Sequence, residues 1–81
     1  MTRPGDALVL YVTDDCALCD AAVAVLAEAH APDFTSVCID GDAHLEARYG
    51  TRVPVLHAAR VDRDLGWPFD AEAVRRYVSG V

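Results

Sequence analysis

Leu8-Val9-Leu10-Tyr11-Val12-Thr13-Asp14-Asp15-Cys16-Ala17-Leu18-Cys19 carries the chain from an apolar run directly into a pair of cysteines. The run is apolar at every position rather than at alternate ones, the pattern of a central strand covered on both faces. Thr13-Asp14-Asp15 then offers helix-start chemistry, with Asp15 the expected N-cap. From Cys16 to about His30, the residues Leu18, Ala22, Val25, Leu26 and Ala29 recur at helical spacing. The cysteines therefore sit at a strand-to-helix junction. Cys16 is expected in the first helical turn, where backbone N–H groups lack partners and the helix dipole favours negative charge. Cys19 follows one turn later, within reach of the first sulfur.

This placement suits reversible thiol–disulfide chemistry, in which the thiolate is the attacking species. Cys16 is the expected nucleophile. Cys19 is the expected resolving thiol, attacking the mixed disulfide and releasing the product. Asp14, Asp15 and Asp20 oppose a further negative charge, and no Lys or Arg lies within the ten residues on either side of Cys16. A reductant or a mild exchanger is therefore expected rather than a strong oxidant. A zinc site is the alternative use of the pair, with Cys38 and His44 completing the ligands. Cys38 falls inside a predicted strand and His44 on a separate helix, whereas structural zinc sites bring their second pair on a short knuckle or one helix face. No metal is expected.

Outward from the dithiol, Pro32-Asp33 ends the helix and Thr35-Ser36-Val37-Cys38-Ile39 reads as a second strand, giving a right-handed parallel βαβ unit. Asp40-Gly41-Asp42 is a turn into a short helix with Leu45 and Tyr49 on one face. Gly50 is expected to end that helix in a left-handed conformation. Val53 to His57 starts a third strand and Arg63 to Trp67 a fourth, although Ala59 to Asp62 holds no Asn-Gly or Asp-Gly turn signal. Asp70 caps the last helix, and Phe69 and Val74 are spaced as a hydrophobic staple. Val74, Tyr77, Val78 and Val81 form its buried stripe.

Eighty-one residues make one expected domain, 1–81, and the 53% hydrophobic composition argues against disorder. Three cysteines are too few, and odd in number, for a secreted disulfide scaffold. The start has no signal-peptide core, and no stretch approaches the ~20 apolar residues that span a bilayer. A cytoplasmic monomer is expected, with no membrane partner. The net charge of −6 and pI near 4.7 count against nucleic acid and favour a partner with a neutral or basic surface.

Tyr11-Val12-Thr13-Asp14-Asp15-Cys16-Ala17-Leu18-Cys19 resembles the first strand and active-site loop of glutaredoxins. Tyr49-Gly50-Thr51-Arg52-Val53-Pro54-Val55-Leu56 resembles the cis-proline segment of thioredoxin-fold proteins. These two stretches, with Trp67-Pro68-Phe69-Asp70, are similar to small bacterial glutaredoxin-like proteins of poorly defined function. The resemblance implies a thioredoxin-like α/β fold with a four-stranded mixed sheet and three helices in the order β-α-β-α-β-β-α. It implies a thiol–disulfide oxidoreductase with a redox-active disulfide, serving cell redox homeostasis. It also implies a cis bond before Pro54 and a Val53 backbone that pairs with an extended substrate. Asp70 would meet the ammonium group of glutathione, and Arg52 a carboxylate.

Thr13 stands where glutathione-binding relatives usually carry lysine, and Gly66-Trp67-Pro68-Phe69 stands where they usually have Gly-Gly. No bound cofactor is expected; glutathione or a dithiol reductase would restore the reduced form, and the substrate would be a protein or small disulfide. The competing reading is a non-catalytic binding module whose cysteine pair is inert or holds a metal with a partner. Of the remaining residues, Cys38 is expected to be a small buried hydrophobe and His30 a helix C-terminal residue. His44 is expected in solvent, His57 on the exposed face of its strand, Trp67 in the core or at its rim, and Arg75 and Arg76 on a wet face.

Overall fold

Five consecutive apolar residues form β1 (Leu8–Val12), and each face of that strand acquires its own cover. The structure, a computed structural model, describes residues 8–31, 33–59 and 61–80. The remaining elements are α1 (Ala17–Glu28), β2 (Thr35–Cys38), α2 (Ala43–Tyr49), β3 (Val55–Ala58), β4 (Arg63–Gly66) and α3 (Ala71–Ser79). The sheet order is β2-β1-β3-β4, with β2 parallel to β1 and the other pairings antiparallel. This is the thioredoxin-like arrangement expected from the sequence.

Strand periodicity sorts the core into two layers. Leu8 and Leu10 of β1 and Leu56 of β3 pack with Ala22 and Leu26 of α1, and with Val74 and Tyr77 of α3. On the opposite face Tyr11, Val55, Ile39, Leu45 and Tyr49 form a smaller cluster under α2. Residues at odd and even positions of β1 are thus both removed from water, which is why the run does not alternate.

Several boundaries differ from the expectation. The N-cap of α1 is Cys16 itself (φ −113°, ψ 101°), not Asp15. Asp15 takes φ +50°, a left-handed conformation that Asp tolerates, and so turns the chain between strand and helix. At the other end α1 stops at Glu28, and His30 lies beyond it at φ +54°; Pro32 falls outside the described residues. Gly50 is not left-handed but helical, with φ −52°. A β-carbon there would run into the Glu46 carbonyl oxygen, so close approach rather than positive φ favours glycine.

The β3–β4 hairpin forms without an Asn-Gly pair because Asp62 supplies the positive φ, at +51°. The third strand starts at Val55 rather than Val53, and the fourth ends at Gly66 rather than Trp67. Asp70 caps α3 as expected, its Oδ1 accepting from the Ala73 N–H at 2.8 Å. Phe69 and Val74 are both buried in the larger cluster, while Val81 falls outside the described residues. Arg75 and Arg76 are exposed, and Trp67 lies at the rim, edge-on to Phe69. No helix among the described residues is long and apolar enough to cross a membrane.

Two leucines of α1 separate core from surface. Leu26 is 1% exposed and Leu18 is 52% exposed. Leu26→Ala should cost about 3 kcal/mol of unfolding free energy, and Leu18→Ala should change it by less than about 0.5 kcal/mol. Urea unfolding of the two variants measures the contrast. Equal losses would contradict the layer assignment.

Candidate active site

Register brings strand ends from distant parts of the chain to one edge of the sheet. Val12 pairs with Cys38, Tyr11 with Val55, and Val55 with Gly66. The loop from Thr13 to Cys16 and the first turn of α1 therefore emerge beside Asp40 on one side and beside Val53-Pro54 and Trp67 on the other.

Cys16 and Cys19 form a disulfide with a Cα–Cα distance of 5.1 Å. The Cys16 Sγ accepts a hydrogen bond from the Cys19 N–H at 3.0 Å, the role an Asp or Ser oxygen usually plays at a helix start. The Cys16 carbonyl also accepts from the N–H groups of Cys19 and Asp20. Cys16 is half-buried, whereas Cys19 is only 5% exposed. The outer sulfur thus sits on the positive end of α1, in the environment that stabilises a thiolate.

A carboxylate from β2's far end holds the loop before Cys16. The Asp40 Oδ1 accepts from the Thr13 hydroxyl at 2.5 Å, and its Oδ2 accepts from the Asp14 N–H at 3.0 Å. The Thr13 hydrogen bond, followed by that from Asp14, holds the Asp40 carboxyl below its ordinary value of 3.8. Sequence reasoning saw only a turn at Asp40. The available signal was the parallel pairing, which sets the residues after Cys38 beside those after Val12.

Cys38 is exposed, contrary to expectation. It ends β2, an edge strand, and its thiol lies 3.9 Å from Asp14 Oδ1. The zinc set is not assembled among the described residues: Cys16 and Cys19 bond to each other, and the potential ligand cluster is Asp14, Cys38 and Asp40 without His44. His44 is exposed as expected.

The residues expected to bind substrate have partners of their own. The Val53–Pro54 bond is cis, and the buried Pro54 accepts at its carbonyl from the Trp67 N–H at 3.3 Å. The bond between Trp67 and Pro68 is cis as well. The Val53 N–H donates to the Tyr49 carbonyl at 3.1 Å. Arg52 donates to Asp64 Oδ2 at 3.4 Å and lies over the Tyr49 ring. Asp70 caps α3 through Oδ1 and is exposed.

A polar cluster under α2 was not expected. His57 is 12% exposed at its side chain rather than on an open face, and its Nδ1 lies 2.6 Å from Asp64 Oδ1. The Tyr49 hydroxyl donates to the same oxygen, and Tyr11 stacks on Tyr49 at 4.6 Å. Burial pushes the Asp64 carboxyl up, but the hydrogen bond and charge of His57, then those of Arg52, outweigh it and hold the group below the usual range. Burial, then the Asp64 charge, raises the Tyr49 hydroxyl. The register pair His57–Asp64 faces the same side as Val55, so strand alternation carried the signal.

A depression of about 390 Å³ opens beside the dithiol. Its walls are Val12, Thr13, Asp14, Asp15, Cys16, Cys19, Asp20, Val23 and Ser36; none of Arg52, Val53, Pro54 and Asp70 contributes to them.

The Asp40 clamp predicts a pH-dependent stability difference. Because its folded carboxyl is depressed, the ionised form stabilises the fold above the ordinary value of 3.8, and that contribution is lost as pH falls through the lowered one. Asp40→Asn should have a lower urea midpoint than the parent protein near neutral pH. The gap should narrow as pH drops below 3.8, where the parent carboxyl also becomes neutral. A gap independent of pH would remove the charge from the argument.

Comparison with known proteins agrees with the fold. The family model described as Glutaredoxin-like domain (DUF836) matches residues 7–79. No curated protein matches the chain. Among solved structures, the chain is similar to Northeast Structural Genomics target protein XcR50 from X. campestris, at 53% identity and a TM-score of 0.87 for the X-ray structure; the match covers 93% of this chain and 99% of that one. The solution structure of XcR50 gives a TM-score of 0.85 at the same identity, covering 93% and 95%. Protein Ne2328 from Nitrosomonas europaea is 31% identical with a TM-score of 0.76, covering 95% of this chain and 94% of that one. A family model spanning nearly the whole chain, together with neighbours at these identities, leads to one assignment: the chain belongs to the family of glutaredoxin-like domains.

Proposed function

We propose that the protein is a cytoplasmic thiol–disulfide oxidoreductase that acts as a monomer, with Cys16 as nucleophile and Cys19 as resolving thiol. The observation that carries this reading is the asymmetry of the pair at the start of α1. Cys16 is the more exposed sulfur and accepts the Cys19 N–H, while Cys19 lies buried behind it. An attacking thiolate needs access and positive potential; a resolving thiol needs only reach to its neighbour.

In the reducing direction, the Cys16 thiolate attacks one sulfur of a substrate disulfide. A Cys16–substrate disulfide forms and the other half leaves as a thiolate. Cys19 then loses its proton and attacks the Cys16 sulfur, which releases the second half as a thiolate and closes the Cys16–Cys19 bond. Two electrons pass from the dithiol to the substrate. Glutathione or a dithiol reductase returns them, and no bound cofactor takes part. On this reading the Val53 carbonyl, beside Pro54, receives an extended substrate chain.

Cys19→Ser should accumulate a mixed disulfide on Cys16 when offered a substrate disulfide, and Cys16→Ser should not. Intact mass after alkylation, across a series of thiol redox buffers, should show the two sites disappearing together in the parent protein. Cys38 should remain available for alkylation. Three free thiols at every potential would leave a docking domain without redox chemistry.

A further inference from the structure

The walls of the depression beside the dithiol bear on what the site accepts, an inference that rests on the redox reading above. Asp14, Asp15 and Asp20 line it, all exposed, and no arginine or histidine contributes among the described residues. Outside those walls, the Asp40 carboxylate accepts from the Asp14 N–H behind them. The chain has no lysine at all. Of the described arginines, Arg48, Arg52 and Arg76 pair with Asp62, Asp64 and Glu72, Arg63 lies over the Tyr77 ring, and Arg75 is exposed on α3, outside the walls of the opening. A disulfide approaching Cys16 through this opening meets a negative rim without a countercharge in its walls.

The second observation is independent of that charge. Of the groups that the resemblance would turn toward glutathione, Arg52 donates to Asp64, the Val53 N–H donates to Tyr49, and one oxygen of Asp70 accepts from Ala73, while Thr13 replaces the usual lysine. Oxidised glutathione is also a net anion at neutral pH, which the rim repels. The apolar part of the opening is Val12 and Val23; Leu18, outside those walls in the first turn of α1, is 52% exposed. Such a surface receives the aliphatic stem of a cationic side chain while its head meets the carboxylates.

We propose that the dithiol exchanges with disulfides whose sulfurs are flanked by positive charge, and discriminates against anionic disulfides. The exchange steps are those written above. The shared chemistry is an ammonium or guanidinium group close to the scissile S–S bond, carried either by a basic polypeptide or by a small diamine disulfide.

The test uses the full chain, reduced and desalted, and follows closure of the Cys16–Cys19 bond with cystamine, bis(2-hydroxyethyl) disulfide and oxidised glutathione as oxidants. Each rate is divided by the rate of the same disulfide with dithiothreitol, which removes differences in intrinsic reactivity. At low ionic strength the relative rate with cystamine should exceed that with oxidised glutathione by about tenfold or more. Added salt should slow the first, speed the second and leave the neutral disulfide unchanged. The Asp14→Asn/Asp15→Asn/Asp20→Asn variant should lose most of the ratio, with the neutral disulfide as internal reference for any change in thiol reactivity. A disulfide-linked dimer of the peptide Lys-Cys-Lys that outruns cystamine would assign the charge to a polypeptide; the reverse order would assign it to a small diamine.

Equal relative rates, a preference for oxidised glutathione, or a ratio that survives either salt or the triple variant would overturn the proposal while leaving the dithiol active. Failure of all three small disulfides to close the bond would overturn the redox reading itself.

Discussion

A strand that must be hidden on both faces governs this structure. Leu8 and Leu10 face one layer and Tyr11 the other, so helices are required above and below the sheet. The chain meets that demand with α1 and α3 on one side and the shorter α2 on the other. Once β1 is central and β2 runs parallel to it, the strand must end at the edge where α1 begins. The cysteines are delivered there as a consequence of burial. Chemistry at that edge then falls to the loop before α1 and to the helix's first turn, where Cys16 is half-buried and Cys19 is packed.

Elements governed by local or periodic patterns were legible in the sequence. The unbroken apolar run specified a central strand, the spacing through Leu26 and Ala29 specified a helix, and Asp70 before Val74 specified a cap. Features that depend on contacts between distant residues were not. Thr13 and Asp40 are 27 residues apart, and His57 and Asp64 meet only through the register of a hairpin whose turn has no strong signature. Cys38 looked buried because its strand neighbours are apolar, but its strand is at the edge of the sheet, which leaves the thiol open.

The candidate site shows the same division more finely. Adjacency gave the pair and its position at a helix start, yet it assigned the cap to Asp15. The choice between Asp15 and Cys16 depends on a backbone angle, because a residue at φ +50° cannot present its side chain in the extended geometry of an N-cap. Arg52 and Asp70 likewise have partners that residue type alone does not reveal. Arg52 donates to the Asp64 carboxylate, and Asp70 accepts from the first turn of α3.

Because the sulfur of Cys16 caps the helix that contains Cys19, the chemical state of that sulfur is also a state of the helix. A thiolate is a strong acceptor for the Cys19 amide, and a sulfur bonded to another sulfur is a weak one. Amide hydrogen exchange at Cys19 is therefore a built-in reporter of electron occupancy, slowest when the dithiol is reduced and ionised. The first turn of α1 serves at once as binding surface, electrostatic support and gauge.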